Sequence, residues 1–143
     1  MATKPNERLA VLAELPPLSS SGARNSAWFL GTSPRVLVAF HVGASSAAGT
    51  IRIRRASDAD GTGAENASDT VAYGGTSTTG NDVLHFMQFD PTKYATDAKP
   101  YLSVQIAAGG TYVSSLQVIE FDPRQMPGDS IDAVNVVDLP DVA

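Results

Sequence analysis

Through the middle of the chain, apolar residues recur at every second position. Thr50-Ile51-Arg52-Ile53-Arg54 alternates, so Ile51 and Ile53 turn inward while Arg52 and Arg54 turn outward. Tyr101-Leu102-Ser103-Val104-Gln105-Ile106-Ala107 alternates again, with Leu102, Val104 and Ile106 opposing Ser103 and Gln105. Residues 82–89 form a denser run, with Leu84 and Phe86 on one face and Val83, Met87 and Phe89 on the other. Val36-Leu37-Val38-Ala39-Phe40-His41-Val42 is a short continuous apolar run. Its length predicts a strand buried on both faces rather than a helix. Residues 112–121 hold the last core strand, and shorter strands are predicted at 28–30 and 70–73.

Turn signals separate these runs. They include Gly31-Thr32-Ser33-Pro34, Gly43-Ala44-Ser45-Ser46, Asp58-Ala59-Asp60-Gly61, Gly74-Gly75, Gly80-Asn81 and Gly109-Gly110. Phe89-Asp90-Pro91 and Phe121-Asp122-Pro123 each close a strand. Proline bars its predecessor from the helical region and cannot donate to a ladder. Short strands, regular turns and no long helical period predict an all-β domain, an antiparallel β-sandwich or barrel of jelly-roll-like form.

Three zones follow: an N-terminal arm over 1–25, the β domain over 26–122, and a C-terminal arm over 123–143. In the first arm Leu9, Leu12 and Ala13 fit one face of a short helix, and an extended half-buried segment fits equally well. Pro16-Pro17 is expected to stop either pattern as a regular ladder. The second arm carries Val134, Val136, Val137, Leu139 and Val142 without helical period. It also holds Asp129, Asp132, Asp138 and Asp141 against Arg124 alone. Such a segment can add a strand to its own sheet, add one to a neighbour's, or stay solvated.

Composition narrows the function classes. The chain has 143 residues, 43% of them hydrophobic and 17% charged, enough for one domain with its own core. Cysteine is absent, which removes disulfides, thiolate nucleophiles and Cys-ligated metals. The net charge of −5 argues against duplex nucleic acid as a partner. No apolar window approaches the length of a membrane-spanning helix, so no membrane partner is expected. Met1-Ala2-Thr3-Lys4-Pro5-Asn6-Glu7-Arg8 is not followed by a signal-peptide core, so synthesis and retention in a cytoplasm are expected.

Reactive groups are scarce. The two histidines, His41 and His85, both fall in predicted strands, where they can meet across a sheet and bind a metal with an Asp as third ligand. No metal-binding histidine spacing accompanies them, so a structural role is favoured. No G-x-S-x-G, phosphate-loop or complete G-x-G-x-x-G pattern occurs, and no catalytic residue, cofactor or metal is assigned. Asp58-Ala59-Asp60-Gly61-Thr62-Gly63-Ala64-Glu65 offers alternating oxygens, but its glycine falls at the fourth position where a calcium loop needs it at the sixth. A loop whose Asp side chains cap their own backbone is the favoured reading. Asn66-Ala67-Ser68 matches a glycosylation triplet by pattern only. Arg52, Arg54 and Arg55 are the one basic cluster, either a solvated strand face or a grip for a carboxylate-rich partner, such as the acidic arm of a neighbouring subunit.

The order of segments carries a resemblance. Leu15-Pro16-Pro17, Trp28-Phe29, the run from Val36 to Gly43, Ala56-Ser57-Asp58-Ala59-Asp60-Gly61-Thr62-Gly63-Ala64 and Tyr101-Leu102-Ser103-Val104-Gln105-Ile106 follow one another. Over residues 10–120 this string resembles small structural proteins of tailed bacteriophages and prophages, the capsid decoration or cement proteins. The resemblance implies a non-enzymatic β-sandwich or barrel on the capsid exterior, made in the bacterial host cytoplasm. It also implies the major capsid protein as partner and a homo-oligomer, with a trimer favoured. Capsid or inter-subunit contacts are expected at Leu9, Leu12 and Leu15, at Val134, Val136, Val137 and Leu139, and at Arg52 and Arg54. A head-fibre base, a tail component, a carbohydrate-binding module and a small hydrolase are the competing readings.

Overall fold

A computed structural model of the chain describes residues 9–33, 35–43, 49–73, 83–121 and 136–138. Its strands are β1 (Leu9–Ser20), β2 (Arg24–Asn25), β3 (Phe29–Leu30), β4 (Val36–Val42), β5 (Thr50–Ala56), β6 (Glu65–Asn66), β7 (Val71–Ala72), β8 (Val83–Phe89), β9 (Tyr101–Ala107), β10 (Tyr112–Phe121) and β11 (Val136–Asp138). They form two sheets packed as a sandwich, as the alternation predicts. Sheet one runs β1-β10-β4-β8-β11. Sheet two centres on β9 and β5, with β2 and β3 beside β9 and β6 and β7 beside β5. Within the described residues β11 is parallel to β8, and the other pairs are antiparallel.

The core lies between the sheets. Val36, Val38, Phe40 and Val42 of β4, with Met87 of β8 and Val118 of β10, point inward from sheet one. Ile51 and Ile53 of β5 and Leu102, Val104 and Ile106 of β9 meet them from sheet two. Each such side chain contributes roughly 1.5–3 kcal/mol by leaving water. The outer positions of β4, at Leu37, Ala39 and His41, are only half-buried. The expectation of burial on both faces therefore fails for β4. Its neighbours β10 and β8 flank it, but no third layer covers its outer face among the described residues.

The N-terminal segment takes the extended one of the two forms its pattern allows. Leu9–Ser20 is a strand hydrogen-bonded along β10, so the short-helix alternative does not occur. Pro16-Pro17 breaks the regular ladder, as expected, without ending the strand. The register shifts between Leu15 and Leu18, and pairing resumes at Leu18 opposite Ser114. Two adjacent prolines have no N–H to offer, and an edge strand with a bulge is where a sheet tolerates them. At the other end Val136–Asp138 lies along Phe86–Gln88, adding a strand to the chain's own sheet.

Two buried tyrosines tie turns to the core. The Tyr112 hydroxyl donates to the Gly22 carbonyl at 2.6 Å, and burial raises its pKa. Tyr73 packs edge-on against Phe40, at 5.4 Å and 75°, and its hydroxyl finds no hydrogen-bond partner among the described residues. Burial, and then the neighbouring Tyr112, push Tyr73 up to about 12. In the unfolded chain the same phenol ionises near 10. Between those two values the unfolded state therefore binds fewer protons, and stability must fall as pH rises. Urea unfolding is expected to show roughly 2 kcal/mol lost from this group as pH climbs from 10 to 12. Tyr73→Phe should remove that loss and change stability little at pH 7.

Candidate interaction surfaces

The two outer faces of the sandwich differ in chemistry. On sheet one, the cross-strand row Val11–Ile119–Leu37 is apolar. The next row places Glu14, Gln117, Ala39 and Phe86 side by side, and a third places Ser115, His41 and Leu84. Val11 is 59% exposed, Leu84 49% and Val113 46%. A groove of about 330 Å³ crosses this face between Pro16-Pro17 on β1 and His41 and Leu84 on β4 and β8. Glu14 and Gln117 are among its lining residues. Exposed apolar side chains are thus interleaved on this face with Glu14, Gln117, Ser115 and His41.

On sheet two the outer face is polar. Arg52 and Arg54 point outward from β5, opposite Gln105 and Ser103 of β9. Gln105 donates to the Asn25 side chain at 3.0 Å. Ser103 is fully buried beneath the β2–β3 segment, where its hydroxyl donates to the Ser26 carbonyl at 2.9 Å. Arg55, the third member of the cluster, is engaged elsewhere. Its Nε donates to Glu65 at 2.7 Å, and Lys99 reaches the other Glu65 oxygen at 2.8 Å. Lys99, and then Arg55, hold the Glu65 carboxyl below the usual range.

The two histidines cannot share a ligand. Phe40 pairs with His85 and His41 with Leu84, so the imidazoles sit on opposite faces of sheet one. Side chains alternate across a strand, and one step of register reverses the face. His85 is buried and stacked on Phe40, with ring centroids 5.2 Å apart, while His41 lines the outer groove.

The Asp58 loop is an Asx-type turn. One Asp58 oxygen accepts from the backbone N–H groups of Asp60 and Thr62, at 3.0 and 3.1 Å. The Thr62 side chain, and then these backbone bonds, lower the Asp58 pKa. Gly61 adopts φ 84°, and a Cβ there would lie 2.6 Å from the Trp28 indole nitrogen. Glycine is thus required twice, for the left-handed backbone and for the ring packed over it. No group of three acidic or histidine side chains able to hold a metal occurs among the described residues.

The residues expected to make contacts fall in different places. Leu15 is buried in the core, and Leu12 packs against it. Leu15 also lines the groove beside Pro16-Pro17. Leu9, Val136 and Val137 lie on β1 and β11. Val134 and Leu139 lie outside the described residues, as do the turns at 44–46, 74–75 and 80–81. Sequence reasoning missed Val11, Leu84 and Val113 as a surface. Alternation marks them as outward, but only register places them on one face. Phe29, Phe40, Tyr73, Phe89, Tyr94 and Tyr112 are buried, so they supply no aromatic row for a glycan.

No helix among the described residues is long and apolar enough to cross a membrane. No family model matches the chain, and no curated protein matches it. Among solved structures it is similar to a chain from the structure of infectious bursal disease virus, Gt strain, with 14% identity and a TM-score of 0.43. The match covers 85% of this chain and 34% of that one, so this chain spans about a third of its neighbour's length.

Proposed function

We propose that this is a viral structural protein, a bacteriophage capsid decoration protein that binds the outside of the head and stabilises the shell. It is non-enzymatic, forms a homo-oligomer with a trimer favoured, and takes the major capsid protein as partner. The observation that carries the reading is the set of exposed apolar side chains on the mixed outer face of sheet one. Val11, Leu37, Leu84, Val113 and Ile119 lie on that face of a rigid sandwich. The segment order that resembles decoration proteins adds support. A protein working by surface complementarity needs a stiff body and apolar anchors, and here Gln117, Ser115 and His41 lie between the anchors, where they can hydrogen-bond a partner. Interface centres of this kind concentrate binding energy in a few apolar anchors.

The test is rebinding of the purified full chain to expanded, undecorated capsids of the phage that encodes it. Binding at micromolar concentration and a higher capsid melting temperature are expected. Val11→Glu with Leu84→Glu should weaken rebinding at least tenfold while circular dichroism stays that of the parent. Absence of binding, or undiminished binding by the double variant, would reject this docking face.

A further inference from the structure

We infer that the outer face of sheet two, at Arg52 and Arg54, is a self-association surface that takes an acidic segment of a second copy of this chain. The inference concerns contacts between copies and stands whether or not the protein decorates a capsid. Arg52 and Arg54 sit at alternate positions of β5, their Cα atoms ~6.6 Å apart by the strand rise. Their cross-strand neighbours, Gln105 and Ser103, are neutral. The ion pairs among the described residues are Arg55–Glu65 and Lys99–Glu65. Neither Arg52 nor Arg54 has a carboxylate partner there. Arg54 donates only to the Ala64 carbonyl, at a long 3.4 Å, so its terminal donors are largely without protein acceptors among the described residues.

Half-exposed guanidinium groups with spare terminal donors and no carboxylate beside them are matched by a carboxylate brought from outside. The chain itself supplies that anion. It carries five more negative than positive charges, and residues 129–141 contain Asp129, Asp132, Asp138 and Asp141 with no basic residue. Asp138 ends β11, which lies at the edge of sheet one, away from β5 in the strand order. A second copy brings its acidic run to the basic face without competing for the apolar face of sheet one. Opposite charges at such a rim set partner and register more than raw affinity.

The experiment is sedimentation velocity of the full chain at 50 and 500 mM NaCl. Association that rises with protein concentration and weakens at least tenfold at the higher salt is expected. Arg52→Glu with Arg54→Glu should raise the dissociation constant more than tenfold. Asp129→Arg with Asp132→Arg and Asp141→Arg should do the same, and mixing the two reversed chains should restore a complex. If the glutamate variant fails to fold by circular dichroism, Arg52→Gln with Arg54→Gln replaces it, with a loss of association still expected. A parent chain that stays monomeric at low salt, or association unchanged in the arginine variants, overturns the inference. So does a mixture of the reversed chains that forms no complex.

Discussion

Replacing Gly49 with alanine is expected to destabilise the fold by at least ~3 kcal/mol and lower the melting temperature by roughly 10 °C. Gly49 is buried immediately before β5, and a Cβ built there would overlap the phenol oxygen and ring of Tyr73. The ring has nowhere to go. Its own backbone N–H donates to the Gly49 carbonyl at 3.2 Å, and its faces and edge meet Phe40 and His85. Either the β5–β7 pairing opens or the ring leaves the core and a cavity remains. Overpacking and cavity formation each carry ~1–5 kcal/mol. Calorimetry and urea unfolding measure the loss. Because both changes act through one contact, Gly49→Ala with Tyr73→Ala should cost well below the sum of the single variants. Additive costs would show that the contact is not the cause.

Arg24→Ala should be the next most damaging change, at about 3 kcal/mol. β1 loses two ladder donors at Pro16-Pro17, and its register slips there. The Arg24 guanidinium spans the break. It donates to the Pro16 carbonyl at 3.0 Å, the Leu18 carbonyl at 3.1 Å, and the Ser114 carbonyl and hydroxyl at 2.6 and 3.0 Å. Pro16 and Leu18 are exposed, but Ser114 is fully buried, so removing the guanidinium leaves the Ser114 carbonyl and hydroxyl short of a donor. Lysine should recover less than half of the loss, since one ammonium cannot reach acceptors on both strands as a planar fork does. Unfolding in urea gives the stability. Hydrogen exchange should quicken at Ser19 and Ser20 while Val38 stays protected. A cost below ~0.5 kcal/mol with unchanged exchange would rule out the bridging role.

The strands were legible because each carries its own two-residue period. Ile51 and Ile53, or Leu102, Val104 and Ile106, mark an inward face whatever they pair with. The Asp58 loop was legible for a similar reason: an aspartate two and four residues before its N–H partners closes a local turn. The candidate contact residues were less so. Leu15 has the character of an exposed arm residue when read beside Pro16-Pro17, yet β10 lies alongside and draws it into the core. Arg24 has no local signal at all, because its partners are up to 90 residues away. Gly49 was equally silent. What requires glycine there is not its own backbone angle but a ring that arrives from residue 73.

Local alternation, turn residues and the charge count were thus enough to establish an all-β chain, the identity of its inward faces and an acidic excess towards its C-terminal end. Those properties depend on neighbours within a few residues. Which strands pair, and in what register, depends on contacts between distant segments and on packing across two sheets. Tertiary structure alone therefore separated His41 from His85, gathered Val11, Leu84 and Val113 on one outer face, and left Arg52 and Arg54 on the other.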